Sequence, residues 1–177
     1  MLKPYVLIQF EICDRDNYVA LLYVRVKGRW CYLYRAIDRE GNLVDSMLSE
    51  TRDMAAAESF FRGAVSVIGK LPRQVTSDGH DSYPRAIREV LGCQVEHRCS
   101  AYLNRRIEQD HRGVKQRYHP MLGFGAFPSA KRFCRAFEEV RQYFRPRRQR
   151  KQVISLAQRR RRFVARARVL KSMFLAA

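Results

Sequence analysis

The sequence predicts an α/β domain built on a mixed sheet, and three observations lead there. Runs rich in β-branched and aromatic residues stand close together at Tyr18 to Val26, Arg29 to Ile37 and Leu43 to Leu48. After them, apolar residues at helical spacing alternate with short strand-like runs, an order that puts helices on both faces of a sheet. With 46% hydrophobic residues in 177, the part of the chain before Pro146 can bury a real core.

Each element follows from local chemistry. Lys27-Gly28 joins the first two runs, and Asp38-Arg39-Glu40-Gly41-Asn42 has hairpin composition between the second and third, so the three form an antiparallel meander. Trp30 and Tyr34 are assigned to its core in preference to the alternative, a base-stacking role. Ser49 to Asp53 ends the meander and supplies helix caps. Met54 to Gly69 then carries Ala57, Phe60, Phe61, Ala64, Val65 and Ile68 at helical spacing. Pro72 precedes a short strand, Gln74 to Ser77. Ser82-Tyr83-Pro84 opens a helix to about Val90, with proline in its first turn and Asp81 placed to cap it. Gln94 to His97 reads as a short strand. Asn104 to about Arg117 reads as a helix, broken by His119-Pro120 and followed by a Gly123-Phe124-Gly125 loop. Pro128-Ser129 starts a last core helix through Phe144, its apolar side formed by Phe133, Ala136, Phe137, Val140 and Phe144.

The domain is expected to span residues 18–145. Residues 1–17 read as an irregular leader, since Cys13 to Asn17 breaks the strand-like Tyr5 to Phe10. Residues 146–177 form a basic tail without an acidic residue. Its apolar positions (Val153, Leu156, Phe163, Val164, Val169, Leu170) suit either an irregular helix or a chain that orders on meeting an anion.

A formal charge of +18 and a pI near 10.4 are costly by self-repulsion unless a polyanion is nearby, and DNA or RNA is the common one. Arginine-rich chains also arise from GC-rich coding sequence or from out-of-frame translation. The residue patterns of RNP and KH modules are absent, which weighs against an RNA-binding protein. The five cysteines form no CxxC pair, and Cys93 and Cys99 around His97 match no common zinc module. An odd number of cysteines suits a reducing cytoplasm. No apolar run approaches the ~20 residues of a membrane span, though the tail suits contact with anionic lipid as a minor alternative.

The chemistry-bearing stretch runs from Asn104 to Arg117. It sets Glu108 seven residues before Lys115, two helical turns, so both face the same way. Val75-Thr76-Ser77-Asp78-Gly79 delivers a second carboxylate at a strand end. Phosphodiester cleavage and strand transfer need a nucleophile and a leaving oxygen held in line, work that suits hard divalent ions on carboxylates. A basic residue two turns past the Glu can hold phosphate beside the metals. Asp78, Glu108 and Lys115 are therefore the candidate catalytic residues, Asp78 and Glu108 the candidate metal ligands, and Mg²⁺ (or Mn²⁺) the expected ion. Arg105, Arg106, Arg112, Lys115 and Arg117 are candidate DNA-phosphate contacts. Each feature also has a plain reading: Glu108 and Lys115 as a solvated helix face, Asp78-Gly79 as a turn, His97 as a surface or core-edge histidine. His111, on the helix of Glu108, is a candidate site-lining residue.

The element order is that of the ribonuclease H-like fold. The residues themselves resemble a family. Trp30 to Asp38, Gly41 to Asp45 and Leu48-Ser49-Glu50 look like the β-meander of bacterial insertion-sequence DDE transposases, closest to the "IS six" group. Thr76-Ser77-Asp78, Tyr83, Glu96-His97-Arg98, Asn104-Arg105, Ile107 to His111, Lys115-Gln116-Arg117 and Gly123-Phe124 continue the match in order, so that it covers Tyr23 to Arg145. The resemblance implies a ribonuclease H-like core, Mg²⁺ dependence and strand transfer at the ends of an insertion sequence. Its partners would be those ends and target DNA, with a homodimer or higher oligomer on the DNA and neither a membrane nor a small-molecule substrate. Location would be cytoplasmic and nucleoid-associated. By position, Asp78 corresponds to the second family acid, Glu108 to the third and Lys115 to the basic partner.

Two departures stand out. Where the family has Asp-Glu-Thr before the tyrosine matching Tyr23, this chain has Ala20-Leu21-Leu22, so the first catalytic Asp is missing and strand transfer is expected to be impaired. Asp16 lies four residues away, ~13 Å along a strand, too far to share a metal with Asp78. Asp38 and Asp45 fall in or beyond the turns. Nothing before Tyr18 resembles the family's helix-turn-helix module, so the chain reads as a truncated or frame-shifted copy, its alternative role a non-catalytic DNA-binding remnant that occupies DNA or pairs with an intact transposase.

Overall fold

Lys27 and Gly28 both take positive φ (48° and 77°), the two-residue turn whose twist matches that of paired strands. That turn folds β1 (Asp16–Val26) onto β2 (Arg29–Ile37), with Val26 opposite Arg29. The second hairpin is closed by Asp38, whose Oδ1 accepts from the Asn42 amide (2.7 Å) and whose Oδ2 accepts from Asn42 Nδ2 (2.8 Å). It leads into β3 (Leu43–Ser49), antiparallel to β2. On the other side of β1 lie β4 (Gln74–Ser77), parallel to it, and β5 (Glu96–Cys99), parallel to β4. The sheet order β3-β2-β1-β4-β5 is the mixed sheet the sequence predicts. The computed structural model describes residues 16–38, 41–77, 80–99, 105–145 and 154–175, with backbone alone at 16, 105, 106 and 108–110.

Alternation along β1 divides the core. Val19 and Leu21 point to one face, where α1 (Met54–Ile68) and α2 (Ser82–Leu91) bring Phe60, Phe61, Tyr83 and Ile87. Leu22, Val24 and Val26 point to the other, where α3 (Arg105–Tyr118) and α4 (Phe127–Phe144) bring Val114, Tyr118, Ala130 and Cys134. Burying one ring such as Phe60 stabilises the fold by about 1.5–3 kcal/mol. Asp53 caps α1 by accepting from the Ala56 amide (2.8 Å), and Gly69 ends the helix at φ 70°. The loop before α4 is tied to the first hairpin: the Lys27 amide donates to the Phe124 carbonyl (2.8 Å) and the Phe124 amide to the Arg25 carbonyl (2.9 Å).

Four expectations need correction. β5 starts two residues later than Gln94, because Gly92 at φ 89° turns the chain and the parallel ladder opens with the Glu96 amide on the Arg73 carbonyl. Asp81 makes no side-chain cap bond, its backbone being helical rather than extended; Ser82 pairs instead with His80 Nδ1 (2.8 Å). On α4 the buried stripe is Ala130, Cys134 and Glu138; Phe133 and Phe137 flank it, while Ala136 and Val140 are exposed. The apolar spacing misleads there because Glu138 faces inward to meet Arg35. Trp30 is 54% exposed, whereas Tyr34 is fully buried against Phe60. Both face the α1 side, but Trp30 lies four residues, ~13 Å, farther along β2, beyond the helix.

In the tail, α5 (Leu156–Leu175) is a largely exposed helix. It rests on the end of α4: the Phe163 ring lies 4.8 Å from that of Phe144, and Arg166 donates to the Tyr143 and Arg145 carbonyls, a cation at a helix C-terminus. Among the described residues no helix is long and apolar enough to cross a membrane. Residues 1–15 and 146–153, within the expected leader and tail, lie outside the described residues.

Candidate active site

β4 and α3 both meet β1 near its start, around Tyr18 to Ala20. Tyr18 pairs with Thr76, which sets Val19 level with Ser77, the last residue of β4. Asp78 follows directly and, with Gly79, lies outside the described residues. The next residue on β1 is Ala20. It is 1% exposed and packs in a small apolar cluster with Ile37 and Ile107, Tyr18 beside it. Ile107 precedes Glu108 on α3, so Ala20 faces the helical turn that carries Glu108.

On α3 the buried residues Ile107, His111, Val114 and Tyr118 recur at helical spacing and form the stripe against β1. By backbone position, residues 108 and 115 lie within about 20° of each other on one flank of that stripe. Lys115 is half-buried there, and exposed Arg112 lies between them by turn. Arg117, also exposed, falls on the opposite flank, as does position 106. The side chains of Glu108, Arg105 and Arg106 lie outside the described residues. His111, 1% exposed, belongs to the core stripe one turn past Ile107.

Two contacts that sequence reasoning missed shape this region. His97 on β5 pairs through Nε2 with Ser77 Oγ at 2.8 Å, linking the residue before Asp78 to the neighbouring strand. Burial lowers the His97 pKa below its ordinary value. Cys99 Sγ lies 3.7 Å from the same nitrogen. The second contact is an ion pair beside Ala20. Its cross-strand partner is Arg35, fully buried, whose Nε lies 2.8 Å from Glu138 Oε1 and whose Nη2 donates to Oε2 at 3.0 Å. A lone Arg in the apolar run Tyr32 to Ile37 was the available signal, since a buried charge requires a partner.

The donor set decides what this site can hold. A hard divalent ion needs oxygen ligands. Ala20, Ile37 and Ile107 present carbon alone. Asp38 is buried with both oxygens on Asn42, and no three His, Cys, Asp or Glu side chains cluster among the described residues. The described side chains around Ala20 therefore offer no cluster of oxygen ligands for a hard divalent ion.

Comparison with known proteins concerns the family and the fold. A family model described as a DDE domain matches residues 18–147. The chain is 40% identical over 99 residues to the transposase for insertion sequence-like element IS431mec of Staphylococcus aureus, and equally to the transposase for insertion sequence element IS257 in transposon Tn4003 of the same species. Those matches take in 54% of this chain and 44% of the relatives, so the chain spans under half the length of the curated transposases it matches. An uncharacterized protein of Yersinia pseudotuberculosis, pYV0051, is 31% identical over 93 residues, 51% of this chain and 87% of that protein. Among solved structures, a chain of the simian T-cell lymphotropic virus intasome in complex with PP2A regulatory subunit B56 gamma superposes with a TM-score of 0.55 at 10% identity, over 83% of this chain and 52% of that one. That likeness concerns the fold, which is ribonuclease H-like. The chain belongs to the DDE-domain family of insertion-sequence transposases, in its "IS six" branch.

Proposed function

We propose that this chain is the DNA-binding core of an insertion-sequence transposase whose strand-transfer chemistry is impaired. The observation that carries the reading is Ala20, buried between Ile37 and Ile107 at the strand position facing the turn of Glu108. The charge of +18 supports DNA as the partner, both insertion-sequence ends and target, with a homodimer or higher oligomer assembling on it. Asp78 and Glu108 are the residues left to hold Mg²⁺ or Mn²⁺. Lys115, with Arg112 on the same flank, is the phosphate contact, and Arg105, Arg106 and Arg117 extend the basic surface. Residues 18–145 act as the catalytic-type domain, with 146–177 a basic appendage, and the protein resides with the bacterial nucleoid.

The same apolar cluster favours a second reading, in which the protein acts without chemistry by occupying DNA or pairing with an intact transposase.

Ala20→Asp tests the proposal. In the absence of divalent ions the new buried carboxylate should lower the melting temperature, and Mn²⁺ should recover it. Mn²⁺ should leave the parent chain's melting temperature nearly unchanged, and the parent should show no cleavage of end-sequence DNA. Efficient strand transfer by the unmodified chain would sink the impairment reading.

A further inference from the structure

The open end of the first hairpin carries an aromatic surface that the site at β4 does not use. Tyr23 and Arg25 on β1 stand directly opposite Tyr32 and Trp30 on β2, on the sheet face that α1 covers only farther along. Trp30 is 54% exposed and Tyr23 45%. The rings brace one another edge to face: Tyr23 lies 6.2 Å from Trp30 at 90° and 5.5 Å from Tyr32 at 66°. Two guanidinium groups hold them in place. Arg25 lies 5.6 Å from the Trp30 ring centre; Arg52 lies 5.8 Å from that of Tyr23 and donates to its hydroxyl at 2.6 Å. Exposed Lys27 and Arg29 add two cations at the turn.

A half-exposed tryptophan braced by tyrosines has the geometry of a platform for another flat ring, and the cations around it suit a ligand that joins rings to phosphate. Interfaces between proteins tend instead to be poor in lysine. Tyr23 lies three residues beyond Ala20 on the same strand, ~10 Å along it but on the opposite face of the sheet, so the platform is a contact separate from the candidate site. We infer that the Tyr23–Trp30 face is a stacking site for unpaired DNA bases, with Arg25, Lys27, Arg29 and Arg52 taking the adjacent phosphates. This rests on the reading of the chain as a DNA-binding protein.

Trp30 is the sole tryptophan of the chain, so its fluorescence reports on the platform directly. The probes are a labelled oligothymidylate, a duplex, and an abasic strand of equal length, with anisotropy of the label recording binding and Trp30 emission recording stacking. Oligothymidylate should quench Trp30 in step with binding; the abasic strand should bind through its phosphates and leave the emission unchanged. Trp30→Leu should weaken oligothymidylate binding about 5- to 150-fold, the range for loss of one stacked base, and Trp30→Phe should restore most of it. The abasic strand should bind both variants as it binds the parent. Equal binding of oligothymidylate by the Leu variant and the parent would overturn the inference while leaving DNA binding intact. Failure of every strand to bind would remove the DNA reading with it. An emission change that follows protein concentration without DNA would assign the face to contact between copies of the chain and likewise overturn the inference.

Discussion

Arg35 on β2 and Glu138 on α4 join through two contacts, 2.8 and 3.0 Å, with neither side chain more than 3% exposed. The pair locks α4 to the sheet beside Ala20. Removing one partner strands the other charge without solvent, so Glu138→Ala should destabilise the fold by about 3–5 kcal/mol in denaturant unfolding. The apolar double variant Arg35→Met, Glu138→Leu should recover most of that loss. A Glu138→Ala protein as stable as the parent would mean the pair is not formed.

Two glycines should respond in opposite directions to alanine. Gly113 lies inside α3, and an added Cβ would meet the guanidinium end of Arg141, a flexible group that can move. Gly113→Ala should therefore stabilise by up to about 1 kcal/mol through helix propensity. Gly123 has φ 123° and an added Cβ would lie 3.0 Å from the Arg25 carbonyl oxygen. Gly123→Ala should destabilise by about 1–3 kcal/mol. Urea unfolding of the two variants gives both signs.

His97 should make stability depend on pH. Its pKa is lowered in the native state by burial, so below the ordinary value of 6.5 the unfolded chain takes up a proton that the folded chain resists. The contribution is present above that value and falls away as the pH drops through it. His97→Gln should flatten the melting temperature between pH 7 and 5 relative to the parent; an unchanged profile would show that His97 is not the source.

The thiols should divide by burial. Cys93 and Cys99 are exposed, while Cys31 and Cys134 are buried, and the Cys134 thiol is pushed up to about 12 by burial and by nearby Glu138. Cys93 and Cys99 should react with a thiol reagent in the native protein, with Cys31 and Cys134 reacting after denaturation. Peptide mapping of labelled protein distinguishes these sites.

How much of this was legible in the sequence depends on what local pattern encodes. Turn residues and alternation marked β2 and β4 to the residue, and helical spacing located α1 and α3 within a residue or two. Packing between distant elements was not legible. Nothing adjacent to Glu138 marks it as buried, because its partner is 103 residues away. Trp30 looked like core because its strand is core, and only the length of α1 leaves it uncovered. For the site, family resemblance pointed to Ala20 as the position that departs from the family pattern. The register that sets Ala20 beside Ile107 required the sheet and helix together.

The backbone bonds between residues 25–27 and Phe124 give the first hairpin a mechanical role. Its tip is stitched to the segment that follows α3, and the Arg25 amide also donates to the Tyr118 hydroxyl at the end of that helix. Load on the hairpin tip is therefore passed to the C-terminal end of α3 and the segment after it, where a free loop would simply bend.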